Sequence, residues 1–302
     1  MYLETFTLPI ETEETMIKNQ CYHNGGMYGY IDNTYPCRMF GNRDLYEISF
    51  KNVTIFYGGN GSGKSTLLNL IAQKLELNRI APFNTSELFN MYVENCSYSL
   101  GYDEEGFKHK LPDGSRIITS DDIFDYMLTV RTNNDEICEK KDLARDEYRN
   151  LKYGESIRFT GLDDYEQFKM QVMARSKSVS RRQFITRTAG KETELFSNGE
   201  TALKYFETKL KNDKLYCLDE PENSMSAKMQ LKLVKMLEEM AHYCGCQFII
   251  ATHSPFLLAM DNAVIYDLDS NPVEVKDWWE LENTKLYYEF FKKHSNLFEN
   301  NF

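Results

Sequence analysis

Gly58, four intervening residues, then Gly63, Lys64 and Ser65 stand between a strand-like run, Val53 to Phe56, and a segment with Leu67, Leu68, Ile71 and Leu75 on one helical face. Glycines at this spacing let the backbone turn its N–H groups inward, and a helix that starts near Lys64 adds the positive end of its dipole. The loop of Gly58, Gly59, Asn60, Gly61, Ser62, Gly63, Lys64, Ser65 and Thr66 therefore has the composition and the flanks of a phosphate cradle. In such a cradle the lysine neutralises the β and γ phosphates of a nucleotide, and the serine hydroxyl holds Mg²⁺.

A second stretch places Asp219 and Glu220 directly after the apolar residues Leu215 to Leu218. That is the mouth of a buried strand, where open α/β sheets bind ligands. Asp219 suits Mg²⁺ through water, while Glu220 points elsewhere and suits a general base that polarises an attacking water. The run Phe248 to Ala251 repeats this geometry, with Thr252, His253 and Ser254 at its end and Pro255 suited to the first turn of a helix. His253 is then placed to hydrogen-bond a γ phosphate or the catalytic water. Lys64, Glu220 and His253 are the expected catalytic residues, and Ser65 and Asp219 the expected metal ligands.

Ser197, Gly199 and Glu200 admit two readings. Ser197 and Glu200 have the spacing of a capping box that only starts a helix. The same start leaves N–H groups and a hydroxyl for an anion, which could be the γ phosphate of a nucleotide on another subunit.

These residues need a scaffold of a particular kind. Tyr2 to Pro9, Leu45 to Phe50 and Val53 to Phe56 read as short strands around a loop rich in Gly, Asn and Tyr, which gives an antiparallel β part at the N-terminus. Leu215 to Leu218 and Phe248 to Ala251 are continuously apolar rather than alternating, as expected for parallel strands with helices on both faces. Between Asp121 and Glu194 the chain is charged and helical in pattern, broken near Gly154 to Gly161. The expected fold is a single α/β domain, 1–302, with a mostly parallel sheet core and an inserted helical lobe, 121–194. That lobe is far too short for a long coiled-coil arm at about 1.5 Å per helical residue.

The composition agrees. With 42% hydrophobic residues in 302 there is material for a core, and a net charge of −11 disfavours coating nucleic acid over the whole surface. Seven irregularly spaced cysteines argue against a disulfide framework and for a reducing cytoplasm. No run of eighteen apolar residues calls for membrane insertion.

In this order the four pieces resemble the ABC-type P-loop ATPases of the SMC, RecF and OLD group, with Ser197 to Glu200 in the place of the ABC signature, Pro221 to Ser226 in that of the D-loop, and Ala251 to Pro255 in that of the switch histidine. The resemblance spans about Ile48 to Leu268. It implies ATP and Mg²⁺ as ligands, ATP hydrolysis, and a head-to-tail homodimer with ATP between the Walker A loop of one chain and the signature of the other. One departure stands out: the family's glutamine after Walker A has no counterpart, since no Gln occurs between Gln73 and Gln167. Ser120, Asp121 and Asp122 follow the strand-like run at Ile117 to Thr119 and are candidates for its place. Tyr28, Tyr30, Tyr35 and Phe40 are candidates for the aromatic that stacks on adenine.

Between Gln167 and Lys191 there is no acidic residue, while Lys169, Arg175, Lys177, Arg181, Arg182, Arg187 and Lys191 supply seven positive charges. This patch suits DNA or RNA backbone, an arginine near the second subunit's ATP, or a solvated helical face. Two rival functions stay open: the nucleotide-binding subunit of a transporter, and an ATP-sensing regulator of an effector protein such as a toxin or nuclease in a defence system.

Overall fold

A computed structural model describes residues 1–24, 34–83, 85–103, 105–157, 165–191 and 197–299. The chain runs β1 (Leu3–Thr7), α1 (Glu11–Asn24), β2 (Glu47–Ser49), β3 (Val53–Tyr57), α2 (Lys64–Lys74), α3 (Glu87–Asn95), β4 (Ser97–Leu100) and β5 (Arg116–Thr119). It continues through α4 (Ser120–Tyr153), α5 (Tyr165–Arg175), α6 (Arg181–Ala189), α7 (Asn198–Lys209), β6 (Leu215–Asp219), α8 (Ala227–Tyr243), β7 (Gln247–Thr252), α9 (Pro255–Leu258), β8 (Val264–Asp267), β9 (Glu274–Val275), α10 (Glu282–Lys293) and α11 (Ser295–Glu299). Two compact units result: Met1–Ile123 with Asn198–Phe302, and Phe124–Ser197.

In the larger unit the described strands form two sheets. One is antiparallel, in the order β2-β1-β4, and the other has six strands in the order β5-β6-β7-β3-β8-β9. In the second sheet only β9 runs antiparallel to its neighbour. The residues of β3 and β7 are buried throughout, which is why their sequences lack the alternation of a one-sided sheet. α2 buries Leu67, Leu68, Leu70 and Ile71 in the core.

Register decides what the sheet presents at its carboxyl edge. Thr119 pairs with Asp219, Asp219 with Ala251, and Tyr57 with Thr252 and Asp267. The phosphate-loop start, Asp219 with Glu220, and His253 thus leave the sheet side by side. Gln247, at the opposite end of β7, joins the two sheets. Its buried Oε1 accepts the Tyr2 and Leu3 N–H groups, and its Nε2 donates to the Leu3 and Lys51 carbonyls. Both donors and both lone pairs of the amide are used.

The smaller unit packs Tyr148, Ala174 and Phe184 against one another, flanked by Leu151, Met170, Met173 and Ile185. Arg175 caps the end of α4: its guanidinium donates to the carbonyls of Leu151 and Gly154 at 3.0 and 2.7 Å and to Ser156 Oγ at 2.7 Å. These bonds give the exposed Arg175 a structural role besides its charge. Lys169 lies 3.5 Å from Glu166.

Candidate active site

The loop between β3 and α2 closes on itself through Lys64, whose Nζ donates to the Gly58 and Gly59 carbonyls at 2.7 and 3.0 Å. Gly63 enters α2 with φ +101°, and a Cβ there would meet the ring of Phe40 at 3.1 Å. Glycine is needed on both counts. The loop is lashed from outside by two residues that local sequence patterns do not reveal. Arg43 Nη1 donates to the Ser62 carbonyl at 2.7 Å and also to the Leu268 carbonyl. Asp269 accepts the Gly59 N–H at 2.7 Å. A hollow of about 260 Å³ lies over Asn60 to Thr66, walled by Met39 and Glu220.

Ser65 Oγ donates to Asp219 Oδ1 at 3.0 Å, so the two expected metal ligands already touch. Burial pushes the Asp219 carboxyl up to about 6, with the charge of Glu220 adding and the bond from Ser65 opposing. A desolvated carboxylate next to a hydroxyl is a hard-oxygen donor pair of the kind Mg²⁺ takes while keeping several waters. The donor set therefore fits the ion.

Glu220 occupies the left-handed region, φ +46°, a conformation that non-glycine residues adopt at an energetic cost and that clusters at functional sites. Its backbone N–H is held by the Ala251 carbonyl at 2.9 Å, and its Oε2 accepts from Asn223 at 3.1 Å. Oε1 lies 3.9 Å from Lys64 Nζ and 3.7 Å from His253 Nδ1. Lysine, glutamate and histidine therefore converge, with the imidazole 46% exposed above the cradle.

Beneath them sits Glu222, a carboxylate absent from the expected set. It is 5% exposed, and its Oε1 accepts the Thr252 hydroxyl and the His253 N–H and lies 3.9 Å from His253 Nδ1. The available signal was the acid two residues beyond Glu220, inside the segment set in the place of the D-loop.

Ser197 directly precedes α7, and Gly199 is buried in its first turn. A Cβ on Gly199 would lie 3.3 Å from the Ser224 carbonyl oxygen and 3.4 Å from Met225 Cα, so the helix start rests on the loop that leaves Glu220. Ser197 and Glu200 are exposed. Neither Gly199 nor Glu200 lines the hollow over the phosphate loop of its own chain.

A family model described as "ABC transporter" matches residues 45–223, more than half of the chain. The chain belongs to that family. In this ABC-family chain a second model, an AAA domain associated with AbiEii toxin and the Type IV TA system, matches residues 193–259. No curated protein matches. Among solved structures, the SMC head domain from Thermotoga maritima is 16% identical with a TM-score of 0.38, covering 92% of this chain and 99% of that one. The Smc head domain from Pyrococcus furiosus bound to the C-terminal domain of ScpA is 12% identical, covers 81% and 94%, and has a TM-score of 0.37. A dimeric ATP-binding cassette in a post-hydrolysis state with ADP and Pi is 15% identical, covers 77% and 88%, and has a TM-score of 0.36.

The three candidates for the place of the family's glutamine follow the end of β5. Ser120 and Asp121 line a pocket of about 760 Å³ shared with Ser65 and Asp219. Asp122 does not join them: it is buried, with its oxygens on the Ala81 N–H, the Thr119 N–H and the Thr119 hydroxyl. The same pocket holds Arg79, half-buried, which donates to Ala81 O and Asn69 Oδ1 and lies 4.0 Å over the Phe83 ring. Of the four aromatic candidates for adenine, Phe40 is excluded because it is 1% exposed beneath Gly63. Tyr28 and Tyr30 lie outside the described residues. Tyr35 lines the pocket and donates to Thr66 Oγ1 at 3.0 Å.

Proposed function

We propose that the chain is a Mg²⁺-dependent ATPase that closes into a head-to-tail dimer on ATP and reopens on hydrolysis, thereby gating a partner. The observation that carries this reading is the convergence of Lys64, Ser65, Asp219, Glu220 and His253 at the carboxyl ends of three adjacent strands. Ser65 and Asp219 are the residues that would hold Mg²⁺, which supplies neutralisation of phosphate charge. Lys64 binds the outer phosphates. Glu220 takes a proton from the attacking water, and His253, 3.7 Å away, holds that water or the γ phosphate.

The dimer follows from what one chain lacks. Neither Gly199 nor Glu200 lines the hollow over the phosphate loop of its own chain, and their helix start suits an anion brought by a second copy. Nucleotide then supplies contacts that neither empty subunit has, and differential binding shifts the population to the dimer. Light scattering in saturating MgATP is expected to give twice the mass measured without nucleotide. A monomer that still turns over ATP would refute the clamp.

Among partners, one observation favours nucleic acid. A cavity of about 620 Å³ in the helical unit is lined by Lys141, Arg145, Arg181, Arg182 and Lys191, with no acidic residue among the described residues of its lining, although Arg145 pairs with Asp142 beside it. Charge there suits a phosphate backbone. Replacing Arg181 and Arg182 together by glutamate is expected to weaken binding to a duplex at least about tenfold at low salt and to flatten the salt dependence by about two counterions. Unchanged binding and slope would favour an effector protein as the partner. Among the described residues no helix is long and apolar enough to cross a membrane.

A further inference from the structure

Glu222 is an expensive residue to keep where it is. It is 5% exposed, its Oε2 has no hydrogen-bond partner among the described residues, and burial pushes its carboxyl above the usual carboxylate range. A buried carboxylate with an unpartnered oxygen weakens a fold relative to a neutral group of the same shape. Stability alone does not account for it.

Its other oxygen does a specific job. Oε1 gathers the Thr252 hydroxyl and the His253 N–H, the last residue of β7 and the first beyond it. Thr252 Oγ1 in turn accepts the Ser254 N–H at 3.0 Å, and Ser254 Oγ donates to Gln230 Oε1 at 2.6 Å. The chain on both sides of His253 is therefore fixed by one set of bonds that starts on the turn carrying Glu220. The imidazole itself is half-exposed and has two carboxylate oxygens, of Glu220 and Glu222, at 3.7 and 3.9 Å from Nδ1.

Resting on the ATPase reading above, we infer that Glu222 is a positioning residue for hydrolysis: it couples the turn after β6 to the end of β7 and so holds His253 at its working distance from Glu220. Glu222 itself lies below the imidazole and is not assigned contact with ATP. Its removal should leave nucleotide affinity alone and slow the chemical step, because geometry in a proton-handling site is felt in kcat before it is felt in KM.

The test is a set of steady-state ATPase measurements on the full chain with Glu222→Ala, Glu222→Gln, Thr252→Val, His253→Ala and the double variant Glu222→Ala/His253→Ala. Glu222→Ala and Thr252→Val are expected to lower kcat at least about fivefold with KM within about threefold of wild type. Glu222→Gln keeps an acceptor oxygen for Thr252 and His253 and is expected to retain kcat within about threefold, with a melting temperature no lower than wild type. The double variant is expected to be no slower than His253→Ala by more than about twofold, since residues that act through one another are non-additive. Thr252→Val exchanges the hydroxyl for a methyl group of similar size, keeps Glu222 in place, and keeps the test open if Glu222→Ala fails to fold. Wild-type kcat in Glu222→Ala or Thr252→Val, or losses that multiply in the double variant, would overturn the inference while leaving the ATPase reading intact. Absence of turnover in the wild-type chain would instead overturn that reading and this inference together.

Discussion

Lys64→Ala is expected to lose ATP. The ammonium group is 5% exposed and closes the phosphate loop through two carbonyls, so it stands ready inside the cradle and does not have to be recruited from solvent. Phosphate oxygens would replace Glu220, 3.9 Å away, as its anionic neighbours. Each charge-assisted bond of this kind is worth roughly 1.5–3 kcal/mol. Two of them correspond to a fall in affinity of at least about 100-fold, ~2.7 kcal/mol. Titration calorimetry with MgATP reads this directly. Affinity within about threefold of wild type would remove Lys64 from the site.

Glu220→Gln is the complementary experiment, because it should spare binding and stop turnover. The amide is isosteric and can still meet Asn223, but it has no basic oxygen to take the proton of water. Loss of a positioned general base slows a reaction by about 10²–10⁴. With hydrolysis blocked, the proposed dimer should persist in ATP long after the wild-type chain has returned to monomer. Hydrolysis within about threefold of wild type would assign the base elsewhere, and Asp121, which shares a pocket with Ser65 and Asp219, would be the next carboxylate to examine.

Much of this site was legible in the sequence because each part is a local pattern. A glycine-rich loop between a strand and a helix, two acids after an apolar run, and a histidine after the next apolar run need no knowledge of the rest of the chain. The parallel sheet was legible for the same reason, since Leu215 to Leu218 in β6 and Phe248 to Ala251 in β7 are continuously apolar. What escaped is non-local. Glu222 gains its meaning from Thr252, thirty residues later, and Arg43 and Asp269 gain theirs by gripping Ser62 and Gly59 from elements far away in the chain.

Two helices show how patterns fail in different ways. α1 carries three glutamates in its first turn and little apolar periodicity, yet it docks, with Glu14 buried and accepting from the Arg38 N–H and the Tyr92 hydroxyl. A tertiary carboxylate bond holds it where an apolar stripe is missing. α3 does have a sequence signature, a Ser86 cap and the buried set Leu88, Phe89, Tyr92 and Val93, but it is short and flanked by polar loops. Aromatic composition likewise could not separate Tyr35, which lines the pocket, from Phe40, which is core. The sequence marked Arg175 only as an exposed cation, whereas its guanidinium also ties the last turn of α4 to the segment that follows it.

Whether ATP is completed across two chains can be decided by mixing. A Lys64→Ala chain keeps its Ser197 segment, and a Ser197→Arg chain keeps its phosphate loop, so each should be inactive alone. In a mixed head-to-tail dimer one of the two composite sites is whole, and random pairing of equal amounts predicts ATPase activity of ~25% of wild type. Activity of the Ser197→Arg chain alone at the wild-type rate, or no recovery on mixing the two, would mean that Ser197 does not seal a neighbour's nucleotide.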